Sequence, residues 1–176
     1  VIVDVEKSYS ALIEHIVRDA GARKIAIMSG DKDSMIVRQR EKIIFDVLKN
    51  YSIDESDVTV LRGYFSYSSV KYVFNKFDEE NPNFAYSSLD AIFALNDDMA
   101  IACIDHLKSK GLKVPEDVLV TGFDDLRKSI FCETKVTTVN QKIFEQGYVA
   151  ARTLVDMIVS KKVPMVQSID SVAVLR

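Results

Sequence analysis

Pro115-Glu116-Asp117-Val118 runs into Thr121-Gly122-Phe123-Asp124-Asp125, and Thr137-Thr138-Val139 follows. The stretch reads as a short buried strand that delivers two carboxylates at its C-terminal end. In an open α/β sheet that is the end where ligands bind. Working outward, hydrophobic periodicity divides the chain into alternating strands and helices. Val1-Ile2-Val3 is a short β-branched run. Tyr9, Leu12, Ile13, Ile16, Val17 and Ala20 fall on one helical face, which Gly21 closes. Further strands are expected at 24–28, 58–61, 91–95, 118–123 and 136–139. Helices are expected at about 34–49, with Ile36, Ile43, Val47 and Leu48 inward, at 68–77, and at 97–110. Pro82 breaks the third helix, and 81–88 reads as a polar loop. Asn140 is expected to cap a long helix over about 141–160, with an extended segment at 165–174. Strand and helix in repeated alternation specify an α/β fold: a mostly parallel sheet with helices on both faces.

With 176 residues, the chain can build one substantial core or two small lobes that share it. A net charge of −3 with no basic arm or stripe argues against a nucleic-acid footprint in this chain, because phosphate binding needs clustered Lys and Arg. Cys103 and Cys132 have no metal-ligand or redox spacing and read as buried or half-buried thiols in a reducing compartment. No apolar run is long enough to span a membrane, and no signal peptide is visible. A start at Val1 rather than Met suggests an excised piece of a longer protein.

Several catalytic signatures are absent: no Gly-rich P-loop, no dinucleotide fingerprint, no Gly-x-Ser-x-Gly elbow and no zinc-type His pair. No cofactor, metal or catalytic residue is therefore expected. His15 and His106 read as surface or packing residues. The informative residues gather at strand ends: Asp4, Asp31, Phe65, Asn96, Asp97, Asp124 and Asp125, with Arg40 on the helix after the second strand. In a parallel sheet these ends share one rim. Carboxylates and an amide there can bind hydroxyls, an arginine brings a fixed fork of donors, and an aromatic ring offers a stacking face. Each residue also has an ordinary alternative. Asn96 or Asp97 can cap a helix, Arg40 can be an exposed helix residue paired with an acid, Phe65 can be core, and Asp124-Asp125 can bind a metal.

The run from Ala91 to Ala100 (AIFALNDDMA), Gly111 to Val118 (GLKVPEDV), Gly122-Phe123-Asp124-Asp125 and Thr137-Thr138-Val139 together resemble the LacI/GalR family of bacterial transcription regulators. The similarity is to their effector-binding domain, of periplasmic-binding-protein type I fold, and extends back through Gly21 to Gly30 (GARKIAIMSG). The resemblance implies a sensor for a sugar or nucleobase-like molecule, cytoplasmic and homodimeric through helices around 40–50 and 68–77. DNA is reached only through a separate N-terminal helix-turn-helix domain, which this chain lacks. It implies that 1–131 form the C-terminal lobe, that 132–160 normally complete the N-terminal lobe, and that 161–176 return to the C-terminal one. It also implies that Arg40, Phe65, Asn96 and Asp124 contact the ligand, leaving Asp97 mostly a cap and Asp125 structural.

The chain departs from the family pattern in three places. Ile43 and Ala102 stand where glycine is usual, and Thr134-Lys135-Val136 replaces Pro-Pro-Leu, which removes two φ-restricting residues from a crossover. Such a sensor can also be coupled to another output, such as a diguanylate cyclase, a histidine kinase or an AraC-type domain, or serve as a periplasmic solute-binding protein. A metal-dependent phosphotransfer site at Asp124-Asp125 lacks the lysine and third acid it needs.

Overall fold

The computed structural model describes residues 1–159 and 161–176. Within them the order is β1 (Ile2–Asp4), α1 (Glu6–Glu14), β2 (Ile25–Ser29), α2 (Met35–Asn50), β3 (Thr59–Arg62), α3 (Tyr67–Glu80), β4 (Ala91–Ala94), α4 (Asp97–Ser109), β5 (Leu119–Thr121), α5 (Arg127–Phe131), β6 (Thr138–Asn140), α6 (Ile143–Ile158), β7 (Ser168–Asp170) and β8 (Val172–Val174). The expected helix end at Ser160 lies outside the described residues.

The α/β fold expected from the sequence is present. A four-stranded parallel sheet runs in the order β3-β2-β4-β5. Every residue of β2 and β4 is buried, as central strands covered on both faces must be, whereas edge strand β3 is half-buried. Beyond β5 the chain continues the parallel pattern through a Thr121–Thr137 bridge, with Gly122 N–H donating to the Thr137 carbonyl at 2.8 Å. Two smaller pairs complete the strands, β1 parallel to β7 and β6 antiparallel to β8. Helices pack in pairs, α1 with α2 and α3 with α4.

Chain order explains where a site can form. From β2 the chain steps outward to β3, then crosses back over β2 to reach β4. The connections therefore diverge between β2 and β4, and a crevice opens beyond their C-terminal ends. Ser29-Gly30 and Leu95-Asn96 border it.

Four local expectations need correction. The first helix ends in a π-helical turn at His15–Asp19 before Gly21, and this wider turn leaves Ala20 exposed rather than on the buried face. In α2, Ile36 is 54% exposed, and the buried set is Val37, Arg40, Ile43, Ile44, Val47 and Leu48. The apolar arc is continuous only if an arginine belongs to it, which periodicity alone argues against. Segment 81–88 is not simply polar. Phe84 packs edge-on against Phe77 and Tyr86, each pair of ring centroids being 5.0 Å apart. Asn140 ends β6 instead of capping a helix, and α6 starts after Lys142 with no side-chain cap.

His106 joins the same aromatic group, stacked on Phe74 with centroids 4.0 Å apart. Burial holds its imidazole below the ordinary value of 6.5; Asp78, 3.7 Å away, opposes that and Lys110 reinforces it. A base with a lowered folded-state pKa contributes stability above its unfolded value and loses it as pH falls through the folded one. The denaturation midpoint should therefore drop between pH 7 and pH 5 in the wild type. Chemical unfolding of His106→Leu should show a shallower drop over that window.

Candidate functional site

Arg40 projects from the buried face of α2 into the crevice at the sheet's C-terminal edge. Its Nη1 donates to the carbonyl of Leu95, just past β4. Its guanidinium carbon lies 3.7 Å from the centroid of the Phe123 ring and 6.0 Å from that of Phe65. Nη2 is 3.5 Å from Asp124 Oδ1. The side chain is thus fixed by a backbone acceptor, an aromatic face and a carboxylate, the three kinds of partner a planar cation uses best.

Phe65 and Asp124 approach this cation from separate loops, and Asn96 is tied to the Phe65 loop. Phe65 follows β3 with φ +53°, and its ring lies over Gly30. A Cβ at Gly30 would sit 2.8 Å from Phe65 Cε2, so glycine there is what lets the ring reach the crevice. Asn96 Oδ1 accepts from Met99 N–H at 2.8 Å, and its Nδ2 donates to the Phe65 carbonyl at 3.1 Å. One Asn96 amide hydrogen is left for another partner. Asp124 has φ +107° and Asp125 φ +54°. Two consecutive aspartates with positive φ represent strain that the surroundings must hold in place.

That holding comes from the segment after β6. Asp124 N–H donates to the Val139 carbonyl at 2.9 Å. Gln141 Nε2 donates to Asp124 Oδ1 at 2.6 Å, while Asp125 accepts from Asn140 Nδ2 at 2.7 Å and pairs with Arg176 at 2.5 Å. Asp125 is therefore structural, as expected. Asp124 Oδ2 makes no hydrogen bond among the described residues, and the side chain is 20% exposed, so an acceptor remains open. Sequence reading missed Gln141 and Phe123 as members of this group. Nothing local marks Gln141, and Phe123 reads only as the end of a buried strand.

The capping role expected of Asp97 falls to its neighbour. Asn96 is the N-cap of α4. Asp97 is fully buried; one oxygen accepts from Thr138 Oγ1 at 2.6 Å and the other from Leu126 N–H at 2.7 Å. It ties α4 to the strand-end turn and to β6.

Burial dominates the electrostatics. It lowers the Arg40 guanidinium below its ordinary value, with Asp124 opposing, and raises the Asp124 carboxyl, with Arg40 opposing. Both groups are thus held against their charged forms. A ligand that brings hydroxyl or amide partners relieves part of that cost. The arrangement can recognise a small polar molecule: a carboxylate acceptor, an amide donor, a cation and an aromatic wall. Among the described residues no group of three or more His, Cys, Asp or Glu could hold a metal ion.

A family model for the periplasmic binding protein-like domain matches residues 14–175. The chain belongs to that family. Within it the similarity is to LacI/GalR effector-binding domains. The HTH-type transcriptional regulator CelR of Thermobifida fusca is 31% identical over 140 residues, 80% of this chain and 40% of the relative. The HTH-type transcriptional repressor PurR of Haemophilus influenzae is 29% identical over 150 residues, 84% of this chain and 42% of the relative. The chain thus spans less than half the length of these curated relatives.

Solved structures agree on the family fold. A complex of CelR with cellobiose is 28% identical, with a TM-score of 0.79 over 99% of this chain and 52% of that one. A LacI family regulator from Enterococcus faecium with bound ribose, 23% identical, shares the fold with a TM-score of 0.84 over 99% of this chain and 63% of that one. Among the described residues no helix is long and apolar enough to cross a membrane.

Proposed function

We propose that this chain is the effector-sensing part of a LacI/GalR-type transcriptional regulator, binding a sugar or nucleobase-like molecule through Arg40, Phe65, Asn96 and Asp124. The observation that carries the reading is the Arg40–Asp124 pair, 3.5 Å apart over the β2/β4 crevice with one carboxylate oxygen open. The relatives support it, being transcriptional regulators, one of them solved with cellobiose. On this reading residues 1–131 are the C-terminal lobe, 132–160 belong with the N-terminal lobe, and 161–176 return. The protein acts as a cytoplasmic homodimer without enzymatic activity and meets DNA through another domain. Ligand favours one arrangement of the lobes, and that shift in population is the signal.

A cleft between two lobes needs both walls for tight binding, so a chain holding chiefly one wall should bind weakly. Titration calorimetry with ribose, cellobiose and a purine panel should give dissociation constants in the millimolar range for this 176-residue chain. A regulator containing the remaining length of the relatives should bind at least about a hundredfold more tightly, the few kcal/mol that a second wall of polar contacts supplies. Tight binding by this chain alone would overturn the division into lobes, and no binding by the longer regulator would overturn the sensing role.

A further inference from the structure

The Asp124–Gln141 hydrogen bond joins the expected ligand acceptor to the start of α6. Asp124 Oδ1 already receives Arg40 Nη2 and Gln141 Nε2, so both acceptor positions of that oxygen are used, while Oδ2 is open. Gln141 lies in the two-residue joint between β6 and α6. Asn140 Oδ1 accepts from Lys142 N–H at 2.6 Å, Lys142 has φ +53°, and Gln146 Nε2 donates to the Gln141 carbonyl at 2.7 Å. No residue of α6 is buried. Its inward stripe is Gln146, Val149, Thr153 and Asp156, half-buried and mostly polar, so apolar packing contributes little to fixing the helix start. The hydrogen bonds of the joint are what remain to fix it.

We propose that Gln141 is a positioning residue that stands in for ligand on Asp124, and that a ligand carrying a vicinal diol displaces it and releases the first turn of α6. This rests on the proposed ligand role of Asp124. A diol that engages the carboxylate with both hydroxyls needs Oδ1 as well as Oδ2. The Arg40 bond to Oδ1 is anchored by the Leu95 carbonyl and the Phe123 ring, so the flexible Gln141 amide is the partner that yields. Occupancy at the crevice is thereby converted into freedom at the α6 joint, two residues away along the chain. The device favours sugars and nucleosides over free bases, because a base lacks the paired hydroxyls.

Hydrogen exchange at residues 146–149, which start with the first hydrogen-bonded amide of α6 (Gln146 N–H to the Lys142 carbonyl), tests it in this chain without any ligand. Gln141→Ala and Asp124→Gly should each speed exchange there about tenfold, the scale of losing one charge-assisted bond. Glycine suits the φ of +107° and removes the carboxylate without adding backbone strain. The double variant should be no faster than the faster single, and α4 exchange should be unchanged in all three. Additive effects, or no effect at 146–149, overturn the proposal. With ligand, ribose or cellobiose at saturating concentration should speed the same amides in the wild type and not in Gln141→Ala. A diol that binds without moving them overturns the displacement and leaves the sensing role standing. Non-additivity together with no diol binding by the longer regulator upholds the Asp124–Gln141 link and removes the sensing role.

Discussion

Replacing Gly122 with alanine should lower the melting temperature by about 6–12 °C, the equivalent of roughly 3 kcal/mol for a domain of this size. A Cβ on Gly122 would lie 2.3 Å from Asp97 Oδ1, 3.0 Å from Val136 Cγ1 and 3.2 Å from Ala100 Cβ. None of these can withdraw freely. Asp97 is fully buried and its oxygens hold Thr138 Oγ1 and Leu126 N–H, so moving the carboxylate leaves one buried and one half-buried donor unpaired. Moving the backbone instead pulls Gly122 N–H off the Thr137 carbonyl. Gly147→Ala is the control. Nothing lies within 4 Å of its Cβ, and the site is inside α6, so alanine should raise stability by about 0.5–1 kcal/mol. Thermal circular dichroism of the two variants should move in opposite directions; a similar small change in both would overturn this view of the Asp97 junction.

Arg40→Met should abolish effector binding and destabilise the fold by about 3 kcal/mol, and adding Asp124→Asn should restore most of that stability and none of the binding. The reasoning turns on what is left behind. Burial already raises the Asp124 carboxyl, and removing Arg40 deletes the charge that opposes the rise. The single variant therefore strands a half-buried carboxylate, and the asparagine of the double variant removes the stranded charge. Since burial also lowers the Arg40 guanidinium, the native pair contributes little net stability. Its conserving influence would be on binding. Denaturant titration paired with calorimetry separates the two effects. A double variant less stable than Arg40→Met alone would show that the pair is mainly a structural clamp.

The alternation of β-branched runs with amphipathic ones made the parallel sheet legible, because β4 is apolar throughout, β2 is apolar up to its last residue Ser29, and both are bounded by turn residues. The rim was legible for the same reason: sheet direction alone sends Phe65, Asn96 and Asp124 to one edge. What could not be read was which polar groups turn inward. Arg40 occupies a core position that periodicity assigns to an aliphatic, and Ile36 was drawn inward in its place. Asn96 and Asp97 are adjacent and both good caps, and only the position of Thr138, 41 residues on, decides which of them does the capping. Asn140 carries a cap residue's chemistry but spends it on Lys142 and Asp125, because β6 needs one more residue before the chain turns.

Asn96 serves two masters: its carbonyl begins α4 and its amide steadies the Phe65 loop. Phe65, by contrast, is half-buried at the edge of the core, with its ring over Gly30, and its side chain starts no helix. On the proposed ligand role of Phe65, evolution of a new effector preference should run through that residue, which can change without disturbing a helix, while Asn96 stays fixed under selection for folding itself. In a library randomised at both positions, survivors should be diverse at 65 and nearly uniform at 96.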